Sequence, residues 1–401
     1  MYKSPLATRA SDVNDIRVRL AAILSGCCFA LFAAIMPLIL ARAADSLGLV
    51  EWEMGLLGGS FKAGVALACI VSVLWIRRLN WRHLVLLSSL ALTANFLMLT
   101  LVNQFFVLLA CMVVAGLLAG TGYAVIIVCM GDTREPARNF ALLFLCTSLV
   151  GTLVSYTLPQ LTTLGDGFDI TLLLLAGFSI CAAPLSFWLP SAGTKLVAAT
   201  QPNVMRQLAI PPTVLVALAV IVLAYMGWGG LWAFVEPIGN SVGLGAEQAG
   251  KAVAALLLAG AAGSVCAGVL SMRWGYGLPM LLSISASLAS LIIIQSGPEE
   301  SLFITAIALY GWGWYFGASY VMGLVAELDS GGRFISIAPA MQTLGAAIGP
   351  VMAGLLVIDG VFLYVYLFSG LMWLLALLLF SGLLHYRGGH NKVESLKEFS
   401  A

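Results

Sequence analysis

The chain has 401 residues, 61% of them hydrophobic and 9% charged, with a mean hydropathy of +1.03 and a formal net charge of +1. A water-soluble protein carries roughly 25% charged residues, so this composition points to an all-α membrane protein surrounded by lipid. The balanced charge, with no basic stripe, excludes nucleic acid as a partner, and the 3 His and scattered acids suggest no metal or cofactor site.

Residues 1–18 form a polar N-terminal segment, read as cytoplasmic. The apolar run behind them is long enough to cross a bilayer and no small-residue cleavage site precedes a polar sequence, so it is expected to stay as a transmembrane helix. Six spans follow in order at about 19–41, 54–76, 83–102, 105–130, 140–162 and 169–190, an N-terminal bundle over 19–190. Residues 191–210 are polar and read as a cytoplasmic linker. Six more spans, at about 211–236, 247–271, 277–296, 301–326, 334–357 and 361–385, make a C-terminal bundle over 211–386. Residues 387–401 are a polar cytoplasmic tail, expected to be disordered. The runs are too long for barrel strands and lack their alternation, and backbone groups in hydrocarbon must pair within their own segment, so the spans are helices. All 8 Cys lie in apolar runs without C-x-x-C spacing, where free Cys acts as a small packing residue.

Lys and Arg set the orientation. With the N-terminus inside, sixteen of them fall on the cytoplasmic side and only Arg42 outside, while Lys62 and Lys251 lie within spans. Under the positive-inside rule this predicts both termini in the cytoplasm, with the cell (inner) membrane as the site. The halves also repeat at a spacing of 195 residues: Gly48 pairs with Gly243, Gly55 with Gly250, Gly116 with Gly311, Gly122 with Gly317 and Arg138 with Arg333. A half-length repeat in so apolar a chain predicts two similar six-helix bundles about a pseudo-twofold axis, a binding site between them, and rocking about it.

Twelve spans in a six-plus-six repeat, with a cytoplasmic central loop, resemble the major facilitator superfamily. The superfamily's loop signature, Gly-x-x-x-Asp-Arg-x-Gly, is echoed by Gly268-Val269-Leu270-Ser271-Met272-Arg273-Trp274-Gly275, with Met272 in place of Asp. Its first copy keeps Arg78 and has Arg77 at the Asp position. Without that Asp, the conformational lock is expected to use other charges: Asp132, Arg134 and Arg138 in one loop and Glu327, Asp329 and Arg333 in its counterpart, with Arg78 and Arg273 beside them. A Gly-x-x-x-Gly-Pro pattern similar to the family's antiporter motif stands at Gly345, Gly349 and Pro350 in span eleven, and is read mainly as close helix packing.

Ionisable residues within a bilayer are costly and are functional candidates by default. Lys62 lies nine residues after Glu53, roughly 13 Å along the helix, on a face of small residues. It is a candidate for an anionic substrate or for a switching ion pair. The resemblance implies that spans one, four, seven and ten line a central cavity. Tyr225, Trp228, Trp232 and Glu236 share one helical face of span seven, and Trp312, Tyr315 and Ser319 share one of span ten. With Tyr123 and Gln342 they complete the candidate substrate site for an amphipathic or aromatic small molecule. Glu236 is the candidate proton carrier and Arg42 its candidate partner at the outer mouth. Proton coupling itself is implied by the family.

No Ser-His-Asp, HExxH or P-loop arrangement points to an enzyme. The expected function is secondary transport of a small organic solute by a monomer in the lipid bilayer, driven by protons, without a cofactor. The alternatives are an uncoupled facilitator and a non-transporting receptor or scaffold.

Overall fold

The computed structural model describes residues 13–76, 78–102, 104–134, 136–192, 211–270, 273–328 and 338–398. Among these residues the regular structure is helical: fourteen α-helices and two short 3-10 turns. The expected positions Arg77, Met272, Asp329 and Arg333 lie outside the described residues, as does most of the 191–210 linker.

The first span is two helices, α1 (Ile16–Ala34) and α2 (Met36–Leu47). They are separated by Ile35 at φ −116°, ψ 17°. The cause is Pro37, whose ring has no N–H to give and clashes with the carbonyl four residues back. The seventh span is broken the same way, into α8 (Pro212–Ala233) and α9 (Val235–Ser241), at Phe234 with φ −110°, ψ 12° and Pro237 just beyond. Gly48 and Gly243, paired by the repeat, end α2 and follow α9 with φ of 66° and 83°, a left-handed conformation that favours glycine.

The remaining helices of the first half are α3 (Glu51–Trp75), α4 (Trp81–Leu99), α5 (Phe105–Gly131), α6 (Pro136–Leu161) and α7 (Gly167–Leu185). Those of the second half are α10 (Ala246–Leu270), α11 (Gly277–Gln295), α12 (Glu300–Leu328), α13 (Ala338–Leu356) and α14 (Leu363–Glu398). The 195-residue spacing of the sequence maps both ends of α3 onto both ends of α10. By length and composition, 11 of these helices can cross a membrane. The twelfth expected span is α12, 29 residues long; Trp, Tyr and Gly in its middle lower its hydropathy without shortening it. One expectation is corrected at the C-terminus. The polar tail after 386 is part of α14, which runs to Glu398, because no Pro interrupts it and Lys, Glu and Leu are good helix formers.

The chain divides into two compact units, one of Met1–Leu49 with Ser60–Val204 and the other of Val50–Gly59 with Met205–Ala401. In the first, α1 packs on α5, α6 and α7, and α4 on α5 and α7. In the second, α8 packs on α13 and α14, α10 on α12, and α11 on α12 and α14. The segment Val50–Gly59, placed by sequence in the N-terminal bundle, groups with the second unit because its glycines meet α13 backbone: Gly55 faces Pro350 and Gly59 faces Ala347.

Candidate transport site

The second unit holds a layer of aromatic rings on α8 and α12. Trp228 of α8 and Trp314 of α12 lie nearly parallel, 6.1 Å between centroids and 13° between planes. Tyr225 meets Trp314 edge-on at 5.9 Å, and Trp232 does so at 6.3 Å. Tyr310 joins from α12 at 5.9 Å. Edge-on and offset pairs of this kind suit the ring quadrupoles.

Trp228 is fixed at both polar ends. Its indole N–H donates to Ser287 Oγ of α11 at 3.2 Å, and its backbone carbonyl accepts from the Tyr310 hydroxyl. Ser287 in turn donates to the Ser283 carbonyl at 3.0 Å, and Ser283 Oγ donates to the Gly313 carbonyl at 2.7 Å. Trp228 and Tyr310 are fully buried, whereas Tyr225 and Trp314 are half-buried. The layer is therefore rigid behind and partly open at Trp314.

Trp312 and Tyr315 are placed differently. Trp312 stacks on Phe316 at 4.6 Å and packs with Ala267 and Tyr320, while Tyr315 lies over Gly260 of α10. Ser319 is exposed and its hydroxyl donates to the Tyr315 carbonyl at 2.9 Å. Trp314 stands four residues after Tyr310, a spacing that puts the two on one face of α12. Ser287 and Ser283 carried no signal of their own in so serine-rich a helix.

Glu236 is 1% exposed and sits in the first turn of α9, beyond the break at Phe234. The continuous face expected from Tyr225 to Glu236 is thus cut, because the helix that carries the aromatics ends at Ala233. Gln342 of α13 is half-buried. The Gly-Pro pattern of α13 is occupied in packing: Gly345 faces Val222 and Tyr225, and Gly349 faces Met226 and Gly230 of α8.

In the first unit Lys62 is half-buried near the middle of α3, and Tyr123 is half-buried in α5. Arg42, in the second half of α2, pairs with Asp45 at 3.5 Å. Near it the Ser46 hydroxyl donates to Asp166 at 3.0 Å. Lys251 is closed off by Glu247 at 2.8 Å and Glu300 at 3.6 Å.

The turn between α5 and α6 is tied by hydrogen bonds. Asp132 is buried at the end of α5, Asn139 donates to Thr133 Oγ1 at 2.8 Å, and the Arg134 N–H donates to Asn14 Oδ1 at 2.8 Å. Arg138 lies on α6, its side chain outside the described residues. Arg78, Arg273 and Glu327 are exposed, and Gly275 has φ 62°, which accounts for the last glycine of the loop signature. Trp81 and Arg82 were not foreseen; they donate to the carbonyls of Ile76 and Leu189 and seat the turn before α4.

Broken first and seventh spans, repeated halves and apolar helices throughout define a helical membrane protein, and its fold is similar to that of major facilitator transporters. The sequence profile described as Major Facilitator Superfamily matches residues 217–399, within the C-terminal half. A crystal structure of a mutant of the nucleoside transporter NupG is similar with a TM-score of 0.75 and 12% identity, covering 92% of this chain and 100% of that one. The crystal structure of a bacterial homolog to the human lysosomal transporter Spinster, inward-facing and unoccupied, is similar with a TM-score of 0.65 and 17% identity, covering 84% of this chain and 81% of that one. No curated protein matches the sequence. The similar structures are those of membrane transporters.

Proposed function

We propose that this protein is a proton-coupled carrier that moves a small amphipathic or aromatic-bearing organic solute across the cell membrane by alternating access, as a monomer with both termini in the cytoplasm. The observation that carries the coupling is the buried carboxylate of Glu236 directly after the break in the seventh span. An ionisable side chain within a bilayer is a functional candidate by default, and a carboxylate is a group that can take up and release a proton. The aromatic layer around Trp314 is the proposed contact for the solute's apolar part, and binding there acts by favouring one opening of the carrier over the other.

The test is uptake into proteoliposomes holding the full chain, with and without a pH gradient, over a panel of organic acids, amphiphiles, antibiotics and nucleosides. Nucleosides belong in it because a similar fold is that of a nucleoside transporter. Uptake driven by a pH gradient alone and lost in Glu236→Gln supports the reading. Uptake at equal rates with and without the gradient supports the uncoupled facilitator instead.

A further inference from the structure

Four observations single out Lys62. It stands near the middle of α3, which spans Glu51–Trp75. It is off the lipid-facing stripe: Leu67, Ile70 and Leu74 are exposed along one side of α3, and at 100° per residue Lys62 falls about a quarter-turn or more from that stripe, beside Gly55, Gly59, Ala66 and Cys69. Among the described residues it has no ion pair and no hydrogen bond, whereas the other span lysine, Lys251, has two carboxylates. Its repeat counterpart is Leu257, 3% exposed, so the same helix packs without a charge at this place.

The surroundings say what the charge is for. Phe61, the neighbour in sequence, stacks on Phe32 at 3.9 Å, and Phe32 on Phe96 at 6.2 Å. Gly64 lies against the backbone of Val113 and Leu117, which seals that side of α3. With those sides of α3 packed, Lys62 stands on the remaining face beside the uncharged Gly55, Gly59, Ala66 and Cys69, and an ammonium within a span is costly unless a counter-charge comes to it. Resting on the transporter reading above, we infer that Lys62 binds the anionic head of the transported solute, a carboxylate or phosphate carried on an apolar body.

The test uses proteoliposomes of the wild type, Lys62→Gln and Lys62→Arg, with labelled phenylacetate, octanoate and phenyl phosphate, each against its neutral counterpart (phenylacetamide, octanamide, phenol). In parallel, acylation of Lys62 by an amine-reactive reagent is followed by mass spectrometry on the detergent-purified full chain, with and without each compound. At least one anion should be preferred over its neutral counterpart by about tenfold or more in wild type and Lys62→Arg. The preference should vanish in Lys62→Gln, and the same anion should slow acylation of Lys62. Equal uptake of anions and neutral counterparts by wild type, or a preference that survives in Lys62→Gln, overturns the inference and leaves transport standing. If no compound is taken up, transport of this class fails, and the acylation arm decides the inference: protection by an anion sustains it, and equal acylation throughout overturns it.

Discussion

Trp312 and Trp314 are two residues apart and have different neighbours. Trp314 meets Tyr225, Trp228 and Trp232 of α8, while Trp312 packs on Phe316. Trp314→Ala should lower solute uptake and also destabilise, since its ring meets several others. Trp312→Ala should leave uptake near wild type and destabilise alone, by up to about 3–5 kcal/mol as a packing loss; initial uptake rates and thermal unfolding in detergent separate the two. Ser287→Ala removes the acceptor of the buried Trp228 indole, and an orphaned donor costs about 1–3 kcal/mol. A fall in melting temperature in Ser287→Ala, restored toward wild type by Ser287→Thr, checks this. At this scale the sequence showed which residue types matter and could not show their partners. Tyr225, Trp228 and Trp232 were legible as one face of span seven, but the ring they share was not, since a helical wheel contains no neighbouring helix.

Helices pack closely here because glycine lets backbone meet backbone, and the repeat shows it twice. Gly116 of α5 faces the Phe61 carbonyl of α3, and Gly311 of α12 faces the Leu256 carbonyl of α10. These are the same contact in each half at the spacing read from the sequence. A methyl group at either place meets backbone that cannot step aside, so Gly116→Ala and Gly311→Ala should each destabilise by about 1–3 kcal/mol. Gly268 of α10 has open space where its side chain would lie, and Gly268→Ala should be neutral or stabilising by about 0.5–1 kcal/mol. Melting temperatures of the three variants in one detergent give the comparison, and equal losses in all three would contradict the packing account. Span ends were legible from hydropathy, whereas the breaks at Ile35 and Phe234 were not read although Pro37 and Pro237 announce them. A proline in a span ends the helix only where no neighbour restores the lost bond.

For the molecule as a whole, the charge bias predicts that a fluorescent protein fused after residue 401 folds and lights up in the cytoplasm, while an alkaline phosphatase fused there stays inactive. The opposite pattern would reverse the topology. Hydropathy, the Lys and Arg bias and the 195-residue repeat are properties of the chain itself, because lipid demands an apolar, internally bonded helix from every segment that crosses it. They determined the helical membrane character and the places where the halves correspond. Only tertiary structure decided that Trp314 rather than Trp312 meets α8, that the Gly-Pro pattern of α13 is spent on packing, that Glu236 is buried past a helix break, and that Lys251 is neutralised while Lys62 has no counter-charge among the described residues. Such outcomes depend on how each helix is rotated against its neighbours. That rotation is set by side-chain fit between segments far apart in sequence, which no local pattern contains.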